Sequence, residues 1–298
     1  MDTVESREAV IPTANPLGLD GIEFIEYATS RPQALGQLLE QMGFRPIARH
    51  RSREVLLYRQ GDINVIVNAH DAPGAAKGAG TLAEAPVIAA IALRVRNAAA
   101  AYRHVLERGA WAVPTHVEVM ELNIPAIHGV GSSRIYFVDR YREFSIYDVD
   151  FTPIPTVEMH PPALTGLHFF GVVQYVGLDR VEDWTEFYTE LFGFTAIPDS
   201  ERFGVMPRGR VLSSPCGQLM VQLIEPEVGQ FDFDHSELLQ RIGLGTPDVE
   251  TTVAALRQRG VGFIESTGVQ TSPRGALTET RLGSVVFELV RSMRGAGA

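Results

Sequence analysis

Leu38-Leu39-Glu40-Gln41-Met42-Gly43-Phe44 returns later in the chain as Tyr188-Thr189-Glu190-Leu191-Phe192-Gly193-Phe194, an offset of 194 − 44 = 150 residues. Each stretch reads as the end of a helix closed by glycine, the residue that most easily takes the left-handed conformation wanted there. A second pair, Tyr102-Arg103-His104-Val105-Leu106-Glu107-Arg108-Gly109-Ala110 and Val253-Ala254-Ala255-Leu256-Arg257-Gln258-Arg259-Gly260-Val261, gives 260 − 109 = 151. Two independent pairs at nearly one spacing mark a duplicated unit.

Each half divides again. The first quarter reads as a strand from Ile22 to Tyr27, a helix from about Pro32 to Met42, and strands at Phe44 to Arg49, Val55 to Arg59 and Ile63 to Asn68. Gln60-Gly61-Asp62 supplies the tight turn between the last two. The second quarter repeats that order, with a strand from Ile88 to Val95, a helix from about Ala98 to Arg108, and strands at Trp111 to Pro114, Ser133 to Val138 and Phe144 to Asp148. Quarters three and four run from about Leu167 to Ile224 and from Arg241 to Arg291. The unit is βαβββ, four times over. Between the halves, the proline-dense stretch from Thr152 to Pro162 reads as a linker.

The bulk composition excludes several classes. With 298 residues, 45% hydrophobic and 21% charged, the chain suits two ordinary globular domains. A net charge of −10 without a Lys/Arg cluster argues against nucleic acid or an anionic membrane as partner. The single cysteine, Cys216, rules out an internal disulfide framework or a Cys-rich zinc site. No window reaches the ~18 apolar residues of a membrane span, and the amino-terminal stretch lacks a basic start followed by an apolar run. A cytoplasmic location is the expectation.

One carboxylate stands out. Glu288 lies inside the apolar run Val285-Val286-Phe287-Glu288-Leu289-Val290, sharing a strand face with Val286 and Val290. A buried charge needs a metal, a hydrogen-bonding partner or a counter-ion.

Other residues carry a family resemblance. Asn15-Pro16-Leu17-Gly18-Leu19-Asp20-Gly21-Ile22-Glu23-Phe24-Ile25-Glu26, His50-Arg51-Ser52, Leu57-Tyr58-Arg59-Gln60-Gly61 and Ile146-Tyr147-Asp148-Val149-Asp150-Phe151, with Trp184, Phe187-Tyr188 and Phe287-Glu288, resemble 4-hydroxyphenylpyruvate dioxygenase within the vicinal-oxygen-chelate superfamily, over about residues 15 to 292. The resemblance implies an α+β fold: four βαβββ modules forming two tandem domains with curved, cup-like sheets. The expected layout is a tail at 1–14, an N-terminal domain at 15–152, a linker at 153–164, a C-terminal domain at 165–294 and a tail at 295–298.

In that family two histidines and a glutamate hold iron. Carried over, the first histidine falls on Gly171 and the second on Arg241, and only Glu288 matches the glutamate. The N-terminal equivalents of the histidines are Glu23, expected to make ordinary polar contacts, and Ala90. No cofactor is therefore expected. Arg241 and Glu288 are the catalytic candidates, paired with each other. Arg241, Gln174, Gln222 and Glu279 are the candidates for holding a small-molecule carboxylate. Ile224 stands where the family places an asparagine. Three functions stay open. The chain binds or transforms a small aromatic or keto carboxylate without metal, it only binds or sequesters one, or it is an iron(II) dioxygenase rescued by His168 or His235. Association into a homo-oligomer is a further open expectation.

Overall fold

The repeat seen in the sequence becomes a repeat of hydrogen-bonding pattern. In a computed structural model, residues 15–69, 85–114, 122–198, 204–205, 209–225, 237–266 and 269–293 are described. The expected tails and His235 fall outside them. Strand β1 (Ile22–Ala28) leads into helix α1 (Pro32–Gln41), then β2 (Arg45–His50), β3 (Val55–Gln60) and β4 (Ile63–Asn68). The second module has β5 (Val87–Arg94), α2 (Ala98–Leu106), β6 (Ala126–His128) and β7 (Arg134–Val138), followed by a short helix α3 (Ile146–Asp150) and an edge strand β8 (Phe151–Pro153). A single 3-10 turn (Leu164–Gly166) opens the second half. There β9 (His168–Tyr175), α4 (Val181–Phe192), β10 (Thr195–Ala196), β11 (Arg210–Ser213) and β12 (Met220–Ile224) form the third module. The fourth comprises β13 (Leu238–Thr246), α5 (Val249–Gln258), β14 (Gly275–Leu277) and β15 (Phe287–Arg291).

In each module the first strand pairs in parallel with the last: β1 with β4, β5 with β7, β9 with β12 and β13 with β15. The four long helices end at glycines with positive φ, namely Gly43, Gly109, Gly193 and Gly260. These are the glycines of the sequence repeat, so one backbone requirement at the helix ends explains the spacing. The first sheet runs β6-β7-β5-β1-β4-β3-β2-β8 and the second β10-β11-β12-β9-β13-β15-β14. The architecture is the expected α+β pair of tandem vicinal-oxygen-chelate domains.

One apolar core joins the helix-facing sides of both sheets. It includes Leu35, Leu39 and Phe44 from the first half and Leu191, Phe192 and Leu256 from the second. Phe137 of β7 stacks on Phe192 of α4 with ring centres 6.4 Å apart. A second, smaller cluster covers the opposite face of the first sheet, where Phe24, Leu57 and Ile66 meet Tyr147 and Phe151. No described helix is long and apolar enough to cross a membrane.

Three local expectations are corrected. The strand expected at Phe144 to Asp148 is instead a turn leading into α3. Ser145 and Asp148 form a capping box there, which satisfies the free N–H groups of a helix start and overrides the strand-like alternation. The strand expected at Trp111 to Pro114 reduces to a single bridge between Ala112 and Ile127, because β6 takes the place beside β7. The linker is not unpaired at its start: Thr152 and Pro153 continue β8 against Arg49 and Ala48, an edge position where proline is tolerated. Further on, Met159 accepts a hydrogen bond from Arg59 and Pro161 one from the Gly61 amide, so the linker is fastened to the first sheet.

Gln60 ties the halves together. Its buried side chain donates to the Met42 carbonyl at 3.1 Å and accepts from the Leu164 amide at 3.1 Å. Gln60→Leu leaves both backbone groups unpaired, and the expected loss is about 1–3 kcal/mol in urea unfolding.

Candidate functional site

Strands β9, β13 and β15 lie side by side in the middle of the second sheet. Their register puts Gly171, Gly243 and Glu288 in one row across the strands. Arg241 sits one pleat further along β13, opposite Val173, and so on the same face as Glu288. Its Nε donates to Glu288 Oε2 at 2.8 Å, with only 2% of the arginine and 4% of the glutamate exposed. The other carboxylate oxygen, Oε1, accepts the backbone N–H of Val205 at 3.1 Å. Gly204, at φ 84°, brings that amide over the carboxylate; a Cβ there would run into Oε1. Arg241 Nη1 also donates to Gln240 at 3.0 Å. The buried glutamate thus has a counter-ion and a hydrogen bond on each oxygen, the condition under which such a charge is tolerated.

Gly171 gives no ligand atom, and its surroundings leave no space for one: a Cβ would collide with the Met220 carbonyl oxygen on the neighbouring strand. His168 has an unexpected geometry. A bulge in the β9–β13 pairing, between Phe169 and Gly171, offsets the alternation and places His168 opposite Gly245, on the face of Gly171. Its ring nitrogens are engaged there, Nδ1 with the Gly166 carbonyl at 3.0 Å and Nε2 with Ser292 Oγ at 3.1 Å. Among the described residues no three His, Cys, Asp or Glu side chains lie close enough to hold a metal ion.

The remaining candidates separate. Gln222 pairs in register with Val173 and shares the face of Arg241. Gln174 lies on the opposite, helix-facing side, fully buried, where Tyr188 of α4 donates to its Oε1 at 2.8 Å. Burial pushes the Tyr188 hydroxyl pKa up, which keeps it a neutral donor. The Gln174 amide nitrogen has no hydrogen-bond partner among the described residues. Glu279 is exposed and hydrogen-bonded through its amide to Gly262, near α1 and Gly260 rather than near Arg241. The structure therefore brings together Arg241, Glu288 and, on their face, Gln222, but neither Gln174 nor Glu279.

Sequence reasoning missed two contributors. Val205 acts through its backbone N–H, for which no side-chain signal exists. The other is Arg94, whose Nε donates to the buried Glu23 at 2.6 Å in the first sheet. Asn64 adds a hydrogen bond to the Glu23 carbonyl at 2.9 Å. Glu23, expected to make ordinary polar contacts, is instead half of a largely buried ion pair, and an arginine spaced to reach it would have been the signal.

Comparison with known proteins places this architecture. Residues 13–152 match the family model for hydroxyphenylpyruvate dioxygenase, N-terminal, and residues 170–280 that for the glyoxalase/bleomycin resistance protein/dioxygenase superfamily. A variant of 4-hydroxymandelate synthase from Streptomyces coelicolor superposes with a TM-score of 0.70 at 18% identity, covering 95% of each chain, a likeness of fold. The class is thus the glyoxalase/bleomycin resistance/dioxygenase superfamily. Hemolysin VllY of Vibrio vulnificus is 35% identical over 268 residues, 86% of this chain and 74% of that protein. The 4-hydroxyphenylpyruvate dioxygenase of Pseudomonas aeruginosa is 34% identical over 271 residues, 87% and 75%. The chain belongs to the 4-hydroxyphenylpyruvate dioxygenase family.

The buried pair sets an asymmetric mutational response. Arg241→Met leaves Glu288 charged and uncompensated, with an expected loss of about 3–5 kcal/mol. The double variant R241M/E288L removes both charges and is expected to recover most of that loss, as read by urea denaturation of the single and double variants.

Proposed function

We propose that this chain is a 4-hydroxyphenylpyruvate-dioxygenase-like protein that has lost the iron site and binds or transforms a small aromatic or keto carboxylate without metal. Arg241 carries the attraction for the anion, and Glu288 is paired to it. The observation that supports this most is the 2.8 Å contact between the two buried side chains. The donor set does not suit iron: a glycine without room for a side chain and an arginine stand at two of the three ligand positions that family membership implies. His168, the described histidine on that face, is held by Gly166 and Ser292.

Arginine suits carboxylates because its planar guanidinium presents several N–H donors in a fork. Gln222 on the same face adds a neutral hydrogen-bonding group for a keto or phenolic oxygen. A second reading, binding or sequestration without turnover, is favoured by the state of Glu288. Both of its oxygens already accept hydrogen bonds, which leaves it poorly placed to take a proton from a ligand. A net charge of −10 supports a small molecule rather than nucleic acid as partner.

Calorimetric titration with 4-hydroxyphenylpyruvate, phenylpyruvate and simple phenolic acids tests the proposal. Saturable binding is expected for at least one of them, unchanged by a chelator and lost in R241M/E288L. Binding that requires added iron(II), or that persists in the double variant, would contradict it. Product formation by the wild type separates transformation from binding alone.

A further inference from the structure

A cavity of about 180 Å³ lies where the ends of the two sheets meet, and neither Arg241 nor Glu288 lines it. The first half contributes the start of β1, the β3–β4 turn and the end of β5. The second half contributes the start of β9 and the β11–β12 turn, which are the equivalent places for the first two, and the residues after β15. Ile22, Phe170 and Met220 make its apolar walls, Arg94 and Ser292 face it from opposite halves, and the Asp62 carboxylate lines it on the Arg94 side. Such a volume is below that of a drug-sized pocket and suits a short-chain molecule.

Arg94 gives the cavity its chemistry. Its Nε is spent on Glu23 at 2.6 Å, and its guanidinium lies 5.4 Å from the ring centre of Tyr141. The two terminal nitrogens have no hydrogen bond to any described residue, although the side chain is only 18% exposed. A largely buried guanidinium held at one nitrogen, with its open edge on a cavity, matches the two oxygens of a carboxylate. Across the cavity, His168 fixes Ser292 through the 3.1 Å contact between Nε2 and Oγ, and His168 is itself oriented by the Gly166 carbonyl. The Gln218 side chain, bonded to Asp20 at 3.2 Å, adds a polar group at the rim.

We propose that this junction is a second binding site, specific for short aliphatic monocarboxylates, in which Arg94 takes the carboxylate and the apolar walls take the chain. A ligand there touches both halves at once, so its binding stabilises their docking. The site does not depend on the Arg241–Glu288 reading, because neither Arg241 nor Glu288 lines the cavity.

Butyrate, neither aromatic nor a keto acid, is the probe, titrated into the full chain by calorimetry in parallel with thermal unfolding. The wild type is expected to bind one butyrate per chain and to melt at a higher temperature with it. Arg94→Gln keeps a donor for Glu23 but removes the charge, and Ser292→Leu fills the cavity from the other half. Each is expected to weaken butyrate binding at least ~10-fold, while R241M/E288L binds it as the wild type does. If R94Q does not fold, S292L decides alone. No butyrate binding by the wild type, undiminished binding in either folded single variant, or loss of binding in R241M/E288L would overturn the proposal.

Discussion

Two opposite charges buried side by side on neighbouring strands, Arg241 and Glu288, are the interaction on which the centre of the second sheet depends. Neither could stay there alone, since moving a single ion out of water costs several kcal/mol even after the protein relaxes. Each therefore makes the other admissible, and the parallel pairing of β13 with β15 sets the distance between them. The Val205 amide, brought close by a glycine in the left-handed conformation, takes the remaining oxygen. Strand register, a loop and a charge pair are thereby one unit, and a change in any of them is felt by the others.

The first sheet handles the same problem differently. Glu23 is also buried and also meets an arginine, Arg94, from a neighbouring strand, with Asn64 as a further donor. There, however, the face is covered by α3, β8 and the fastened linker through Tyr147, Phe151 and Met159. Each half thus holds a largely buried Arg–Glu pair, at positions that do not correspond in the repeat. One pair lies under an apolar cover and keeps its outer edge on the junction cavity, and the other is sealed by Val205.

Much of this was legible in the sequence because it rests on strong, local signals. Glycines at helix ends give the repeat its period, and an acidic residue amid Val285–Val290 announces a buried charge. The Arg241–Glu288 pairing followed from the family resemblance combined with strand alternation. What was illegible depends on irregularities that alternation does not encode. The bulge near Gly171 turned His168 onto the face of Glu288, where a regular strand would have turned it away. Gln174 is polar yet faces the helices, because Tyr188 comes down from α4 to meet it. Ser145 and Asp148 made a helix from a stretch with strand-like residues. Glu279, expected beside the anion, lies near α1 instead.

The central claim, that the arginine and not a metal satisfies Glu288, is tested most directly at the Arg241 Nε–H. Its nitrogen-15 resonance in the folded protein is expected to resist solvent exchange and to keep its position and width when one equivalent of iron(II) is added without oxygen. Broadening or loss of that resonance at one equivalent of iron(II), with the spectrum of distant residues unchanged, would place the metal beside Glu288 and contradict the account.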